Sequence, residues 1–200
     1  EKSYVKFNET IDISINLGID NNKSDQNIKG VVNLPKGSGK TVKVAVIANE
    51  DKHNDAKNNG ADLVGADDLI ETISTSKIEF DILIATPDMM PKLGKVAKIL
   101  GPKGLMPNPK LGTVSNDISK AVKDAKSGQV KFKNDKAGIV HAGIGKLDFS
   151  EENILENLKT FYSSIIKNKP DGVKGSFIKK VTIASTMGIG LQINQASLRW

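Results

Sequence analysis

The segment Gly37-Ser38-Gly39-Lys40-Thr41 comes closest in residue type to catalytic chemistry. Glycines beside a lysine and a hydroxyl are what a phosphate-cradling loop uses, with amides wrapping the anion and an ammonium neutralising it. Two features argue against that use. The full spacing needs a glycine five places before Gly39, and Leu34 stands there. Such a loop must also run from a strand into a helix whose first amides meet the phosphate. Here Val42-Lys43-Val44-Ala45-Val46-Ile47-Ala48 follows, which reads as a buried strand. A Rossmann-like phosphate-binding enzyme is therefore the disfavoured alternative.

Other catalytic groups are scarce. The two histidines, His53 in a polar helix and His141 in a strand beside Gly143, lie in unrelated contexts. The chain has no cysteine, which removes disulfides, thiolate catalysis and cysteine-based metal sites. Asp67-Asp68 opens a helix, where the helix dipole favours acids without any catalytic need. No catalytic set, cofactor or metal is expected.

Two segments instead suit contact with RNA. Gly101-Pro102-Lys103-Gly104-Leu105-Met106-Pro107-Asn108-Pro109-Lys110 holds Lys103 and Lys110 among prolines and glycines. It is either a plain surface loop around a helix end or a stiff lysine platform for phosphates. Ser185-Thr186-Met187-Gly188 offers hydroxyls, a glycine that lets a backbone approach, and a polarizable thioether. Taken alone, it is a strand connection.

The elements that position these segments follow from periodicity. From Tyr4 to Leu17 the apolar residues alternate, with Ile11, Ile13 and Ile15 at period two, as in a half-buried strand. Ile28 to Leu34 reads as a second strand, broken by Pro35-Lys36-Gly37. The middle alternates strands (42–48, 63–64, 80–85) with helices (a polar one ending near Gly60, 67–73, 89–100 and 117–126), the pattern of an open parallel sheet with helices on its faces. From Gln129 the pattern returns to strands. A helix runs from Glu151 to Lys167 behind the N-cap Ser150 and stops at Pro170-Asp171-Gly172. Strands at 177–184 and 190–194 close the chain. The expected fold is a two-domain α/β protein. Residues 1–37 and 129–200 make a split α+β two-layer outer domain, and residues 38–128 an inserted Rossmann-like three-layer α/β domain.

The net charge of +6 and pI near 9.3 suggest a polyanionic partner. Residues 38–90 carry a net −5, and residues 91–136 carry eleven lysines against three acids, net +8. That block is expected to face an anion. Arg199 is the only arginine, so bidentate forks that read guanine edges are almost absent. No apolar run approaches the roughly 20 residues that span a bilayer. A cytoplasmic, reducing location is expected, with a segment missing before Glu1.

A series of stretches, in order along the chain, resembles the ribosomal protein L-one family in its bacterial or organellar form. They include Lys6-Phe7-Asn8-Glu9-Thr10, Ser24-Asp25-Gln26-Asn27-Ile28-Lys29-Gly30, Leu34 to Lys40, Gly60-Ala61-Asp62, Ala85 to Met90, Ile99 to Lys110, Asn134 to Gly138, Lys174-Gly175 and Ser185 to Gly188. The resemblance implies a non-enzymatic structural constituent of the large ribosomal subunit, on a cytoplasmic or organellar ribosome. It implies binding to ribosomal RNA of the mobile stalk near the tRNA exit site, and help in releasing deacylated tRNA. It also implies repression of translation from its own operon mRNA, and a monomer off the ribosome. By residue, it places RNA contacts at Lys6, Phe7, Thr10, Ser176, Thr186, Met187 and Gly188. Thr186 and Gly188 would make polar and close backbone contacts, while Phe7 and Met187 pack the surface shown to RNA. Lys103 and Lys110 become a secondary nucleic-acid contact, with tRNA or other ribosomal RNA. Ile189 departs from the small residue or proline that often follows the cluster.

Overall fold

The computed structural model describes residues 5–20, 26–75, 78–170, 172–173 and 175–198, with the side chains of Glu50 and Lys110 set aside. Tyr4, Ser24, Asp25, Asp171, Lys174 and Arg199, all used in reading the sequence, lie outside the described residues. In chain order the elements are β1 (Thr10–Leu17), β2 (Lys29–Asn33), β3 (Val44–Ile47), α1 (His53–Asn58), β4 (Leu63–Gly65), α2 (Asp67–Ser74), β5 (Ile82–Ala85), α3 (Met90–Leu93), α4 (Ala97–Leu100) and α5 (Ile118–Lys126). They continue with β6 (Gln129–Lys133), β7 (Ile139–Lys146), α6 (Glu151–Lys167), β8 (Ile178–Ser185) and β9 (Leu191–Ile193). The chain divides into two compact units at Lys40/Thr41 and at Lys126/Ser127.

The outer unit is built on an antiparallel sheet of order β7-β1-β8-β9, with a separate antiparallel pair β2-β6. Alternation along β1 sends Ile11, Ile13, Ile15 and Leu17 to one face, where they are buried. Helix α6 covers that face through Leu158, Phe161, Tyr162 and Ile165. Ser150 starts the helix by accepting the Asn153 amide at 3.4 Å, and Glu151 and Glu152 suit its positive end. Phe161 meets Phe132 of β6 edge-on, centroids 5.7 Å apart at 74°. Gly30 lies under the Phe132 ring, whose edge is 2.7 Å from where a Cβ on Gly30 would sit. A side chain there would displace the aromatic from the core.

The inserted unit has a three-stranded parallel sheet of order β4-β3-β5. Every residue of β3 and β5 is buried, as expected of strands covered on both sides. Ala45, Ile47, Leu83 and Ala85 face α2, α3 and α4; Val44, Val46, Ile82 and Ile84 face α1 and α5. The helix expected over 89–100 is broken. It alternates 3-10 turns at Pro87–Met89 and Gly94–Val96 with the single turns α3 and α4. Pro91 lacks an amide and Gly94 is a poor helix former, yet the buried stripe Met89, Leu93, Val96 and Leu100 survives.

The chain leaves the outer unit through a pinned segment. Asn157, fully buried on α6, accepts the Lys36 amide at 3.1 Å and donates to the carbonyls of Gly37 (3.0 Å) and Ile144 (2.8 Å). One side chain thus satisfies three backbone groups from two elements. Replacing it by leucine would leave all three without their partner. Asn157→Leu is expected to lower unfolding stability in urea by about 2–4 kcal/mol, with an unchanged m-value.

Candidate nucleic-acid interface

The start of β1 and the turn after β8 are locked together. The Thr10 amide donates to the Thr186 hydroxyl at 3.0 Å, and that hydroxyl donates to the Thr10 carbonyl at 3.3 Å. The Met187 amide donates to Oε2 of Glu9 at 3.0 Å, and Glu9 is only 3% exposed. Lys146 Nζ donates to the Thr10 hydroxyl at 2.9 Å. The turn itself closes with the Gly188 amide on the Ser185 carbonyl at 3.1 Å. A Cβ on Gly188 would sit 2.3 Å from Ser185 Oγ, so any side chain there would have to turn the Ser185 hydroxyl aside. Held this way, Met187 is 67% exposed and Phe7, two residues before Glu9, is 54% exposed. Large apolar side chains so exposed on a fixed frame mark a contact surface.

Beside this corner lies the outer face of the sheet, away from α6. Register places His141, Ser14, Thr182 and Gln192 in one row across β7, β1, β8 and β9. The neighbouring row is Gly143, Asp12 and Ala184; on the other side comes Ile139, Asn16 and Lys180. Apart from Ile139 these side chains are small or polar, so the face is rich in hydrogen-bonding groups. His141 Nε2 lies 3.4 Å from Asp135 Oδ2. The Asp135 carboxylate also accepts the Ile139 amide (2.8 Å) and the Ala137 amide (2.9 Å). The Ile139 bond does most to hold the Asp135 carboxyl below the ordinary carboxylate range, outweighing desolvation, with the Ala137 amide and His141 adding to it.

Residues 1–189 match the model of the ribosomal protein L1p/L10e family. The large ribosomal subunit protein uL1 of Rickettsia bellii (strain OSU 85-389) is 58% identical over 196 residues, 98% of this chain and 82% of the relative. Its counterparts in Rickettsia conorii and Rickettsia akari are 57% and 56% identical over the same shares. The chain belongs to this family. It is a ribosomal protein and not an enzyme.

Among the residues singled out by sequence, the structure brings Thr10, Thr186, Met187 and Gly188 into one corner, with Lys6 and Phe7 leading into it. Ser176 is elsewhere. It precedes the opposite end of β8, whose first residue Ile178 lies about 26 Å along the strand from Thr186 at roughly 3.3 Å per residue, and its hydroxyl donates to the Ile178 carbonyl. The resemblance implies an RNA contact at Ser176 as at the cluster, but strand direction puts the two at opposite ends of β8. The Thr186 hydroxyl is spent on Thr10, so its primary task is positioning. Glu9 was overlooked because a glutamate in a polar stretch carries no sign of burial. The outer row of Ser14, His141 and Thr182 could not be seen without register.

Family membership does not make the lysine-rich block one surface. Lys92, Lys95 and Lys98 lie on the α3–α4 side of the parallel sheet, Lys120, Lys123 and Lys126 on the opposite side with α5, and Lys131, Lys133 and Lys136 in the outer unit. Lys92 and Lys126 are paired with Asp67 (2.8 Å) and Asp62 (3.3 Å). Lys103 is exposed in the inserted unit, and the Lys110 side chain lies outside the described residues. His53 is not simply solvated; its Nε2 lies 2.9 Å from the Ala48 carbonyl oxygen. The Gly37–Thr41 segment forms no phosphate loop. It leads into β3 rather than a helix, and its first amide already bonds the Leu34 carbonyl. Among the described residues no group of three or more histidines and acids could hold a metal ion. No helix among them is long and apolar enough to cross a membrane.

Thr186→Val keeps the shape and removes both bonds to Thr10. Chemical denaturation should show a loss of about 1–2 kcal/mol, and Thr186→Ser should recover most of it. For Asp135, whose folded-state pKa is depressed, the stabilisation is present above the ordinary carboxylate value and disappears as pH falls through the lower folded value. Asp135→Asn should therefore melt lower than the parent at neutral pH. That gap in melting temperature should shrink as pH drops below about 4.

Proposed function

We propose that this family member is a structural constituent of the large ribosomal subunit, as its relatives' names describe them, and that its outer unit holds ribosomal RNA of the mobile stalk near the tRNA exit site. From there it assists release of deacylated tRNA. The same surface, presented off the ribosome by a monomer, represses translation of its own operon mRNA. The carrying observation is the hydrogen-bonded corner that holds the Met187 turn, with Phe7 exposed two residues before its anchor Glu9, beside a largely polar sheet face.

Exposed aromatic and thioether groups give unpaired bases an apolar platform, and the serine, threonine and histidine row can meet ribose hydroxyls and base edges. Lys6, Lys146 and Lys180 stand at the margins of this face, where phosphates would pass. Lys103 of the inserted unit, with Lys110, is proposed as a secondary contact to tRNA or other ribosomal RNA. The acids Asp67 and Asp68 at the start of α2 disfavour a phosphate ligand at that helix end, and with it the enzymatic alternative.

Filter-binding titration of the full chain against a transcript of the ribosomal stalk region tests this reading. Phe7→Ala and Met187→Ala should each weaken binding by roughly 1–3 kcal/mol. Affinity should fall with rising salt for every variant. Parental affinity in both variants, or no salt dependence at all, would show that the site lies elsewhere.

A further inference from the structure

The outer sheet face carries one feature of the wrong sign for an RNA surface. Asp12 is exposed in the middle strand, on the same face as Ser14 and Asn16. Its cross-strand neighbours are Gly143 on β7 and Ala184 on β8, neither of which has a side-chain donor. A Cβ on Gly143 would come within 3.3 Å of Asp12 Oδ1, so the glycine keeps the flank of the carboxylate open. Among the described residues nothing forms a hydrogen bond or ion pair with this carboxylate. The nearest cation in register, Lys146, is engaged with the Thr10 hydroxyl and the Asn8 carbonyl.

A bare carboxylate repels phosphate. An ionised carboxylate also offers only acceptors. On a face that receives RNA, it is compatible with binding only where neutral donors of the RNA approach it. Two sources share that chemistry: the amino and imino N–H groups of an unpaired base, and the ribose 2′-hydroxyl.

We propose that Asp12 is a specificity-determining residue of the RNA site, accepting hydrogen bonds from neutral RNA donors at the centre of the face and confining phosphates to its lysine-bearing margins. This rests on the RNA-binding reading above. Gly143 and Ala184 then have a reason to be small: they leave room for a base or ribose to reach the carboxylate edge-on. The carboxylate also orients the ligand. A strand laid with phosphates over β1 would meet a negative charge, whereas one laid with its donors inward would not.

The test uses the full chain and the stalk transcript, with wild type, Asp12→Asn and Asp12→Ala compared at two salt concentrations. Among the described residues the Asp12 side chain has no partner, so thermal melting should show both variants folded. The proposal expects each to bind about 10- to 100-fold more weakly, with an unchanged salt slope because no phosphate contact is lost. A bystander acid gives the opposite sign: equal or tighter binding, most marked at low salt. That result overturns the proposal while leaving the RNA site standing.

Transcripts with inosine for guanine, or with single 2′-deoxy positions, separate the two donor sources. The substitution that weakens wild type but has no further effect on Asp12→Ala identifies the donor. If every substitution costs Asp12→Ala as much as wild type, no donor meets this carboxylate. Failure of wild type itself to bind the transcript overturns the site reading and this inference together.

Discussion

Strand β1 is the constraint on which the rest depends. It is bonded on both edges by strands from the far end of the chain, Thr10 opposite Lys146 on one side and Ile11 opposite Ser185 on the other. The core face of β1 supplies Ile11, Ile13, Ile15 and Leu17, which have no burial unless β7, β8 and α6 arrive. Everything between must therefore leave and return to nearly the same place. The return point shows how tightly: a Cβ on Gly128 would lie 2.4 Å from the Cα of Gly37, and Gly128 has φ +101°. Only glycine fits where the two passes of chain touch. Because closure entropy grows slowly with loop length, a long excursion costs little more than a short one, provided it folds on its own.

The same constraint makes the interface a property of the assembled sheet. No local segment contains it. Glu9 and Thr10 approach from one end of the sequence, Thr186 and Met187 from the other, and the bonds between them are backbone-to-side-chain bonds that exist only in register. A buried glutamate that accepts a turn amide is expensive to leave unmatched. Hence the turn is held to one geometry, and Met187 and Phe7 lose less freedom when a partner packs on them.

Much of this architecture was legible in the sequence because it is written in periodicity. The isoleucines of β1 at period two specify a strand and its buried face, Ser150 and the residues after Lys167 bound α6, and the apolar runs of β3 and β5 specify strands covered on both sides. What escaped depends on register or strand direction. Ser176 and Thr186 are close in sequence yet sit at opposite ends of β8, and only direction says so. The row from His141 to Gln192 is made of residues from four strands, none remarkable alone. The lysine-rich block misled for a related reason. In the inserted unit α3 and α4 cover one face of the parallel sheet and α5 the other, so a contiguous run of charge need not be a contiguous surface.

Lysine dominance fits the kind of recognition this leaves. A point charge on a flexible stem neutralises phosphate wherever it passes but reads no base edge. With one arginine in the chain, discrimination has to come from groups that are rigidly placed. The strands provide that: Ser14 and Thr182 stand in fixed register, and the corner side chains are anchored through Glu9 and Thr186. On the proposed reading, lysines at the margins and fixed polar groups in the middle would divide the work, the first setting affinity and its salt dependence, the second setting which folded RNA fits. A surface used in that way would select by shape and by the pattern of neutral donors and acceptors. Its selectivity therefore depends on the sheet staying intact more than on the total charge of the protein.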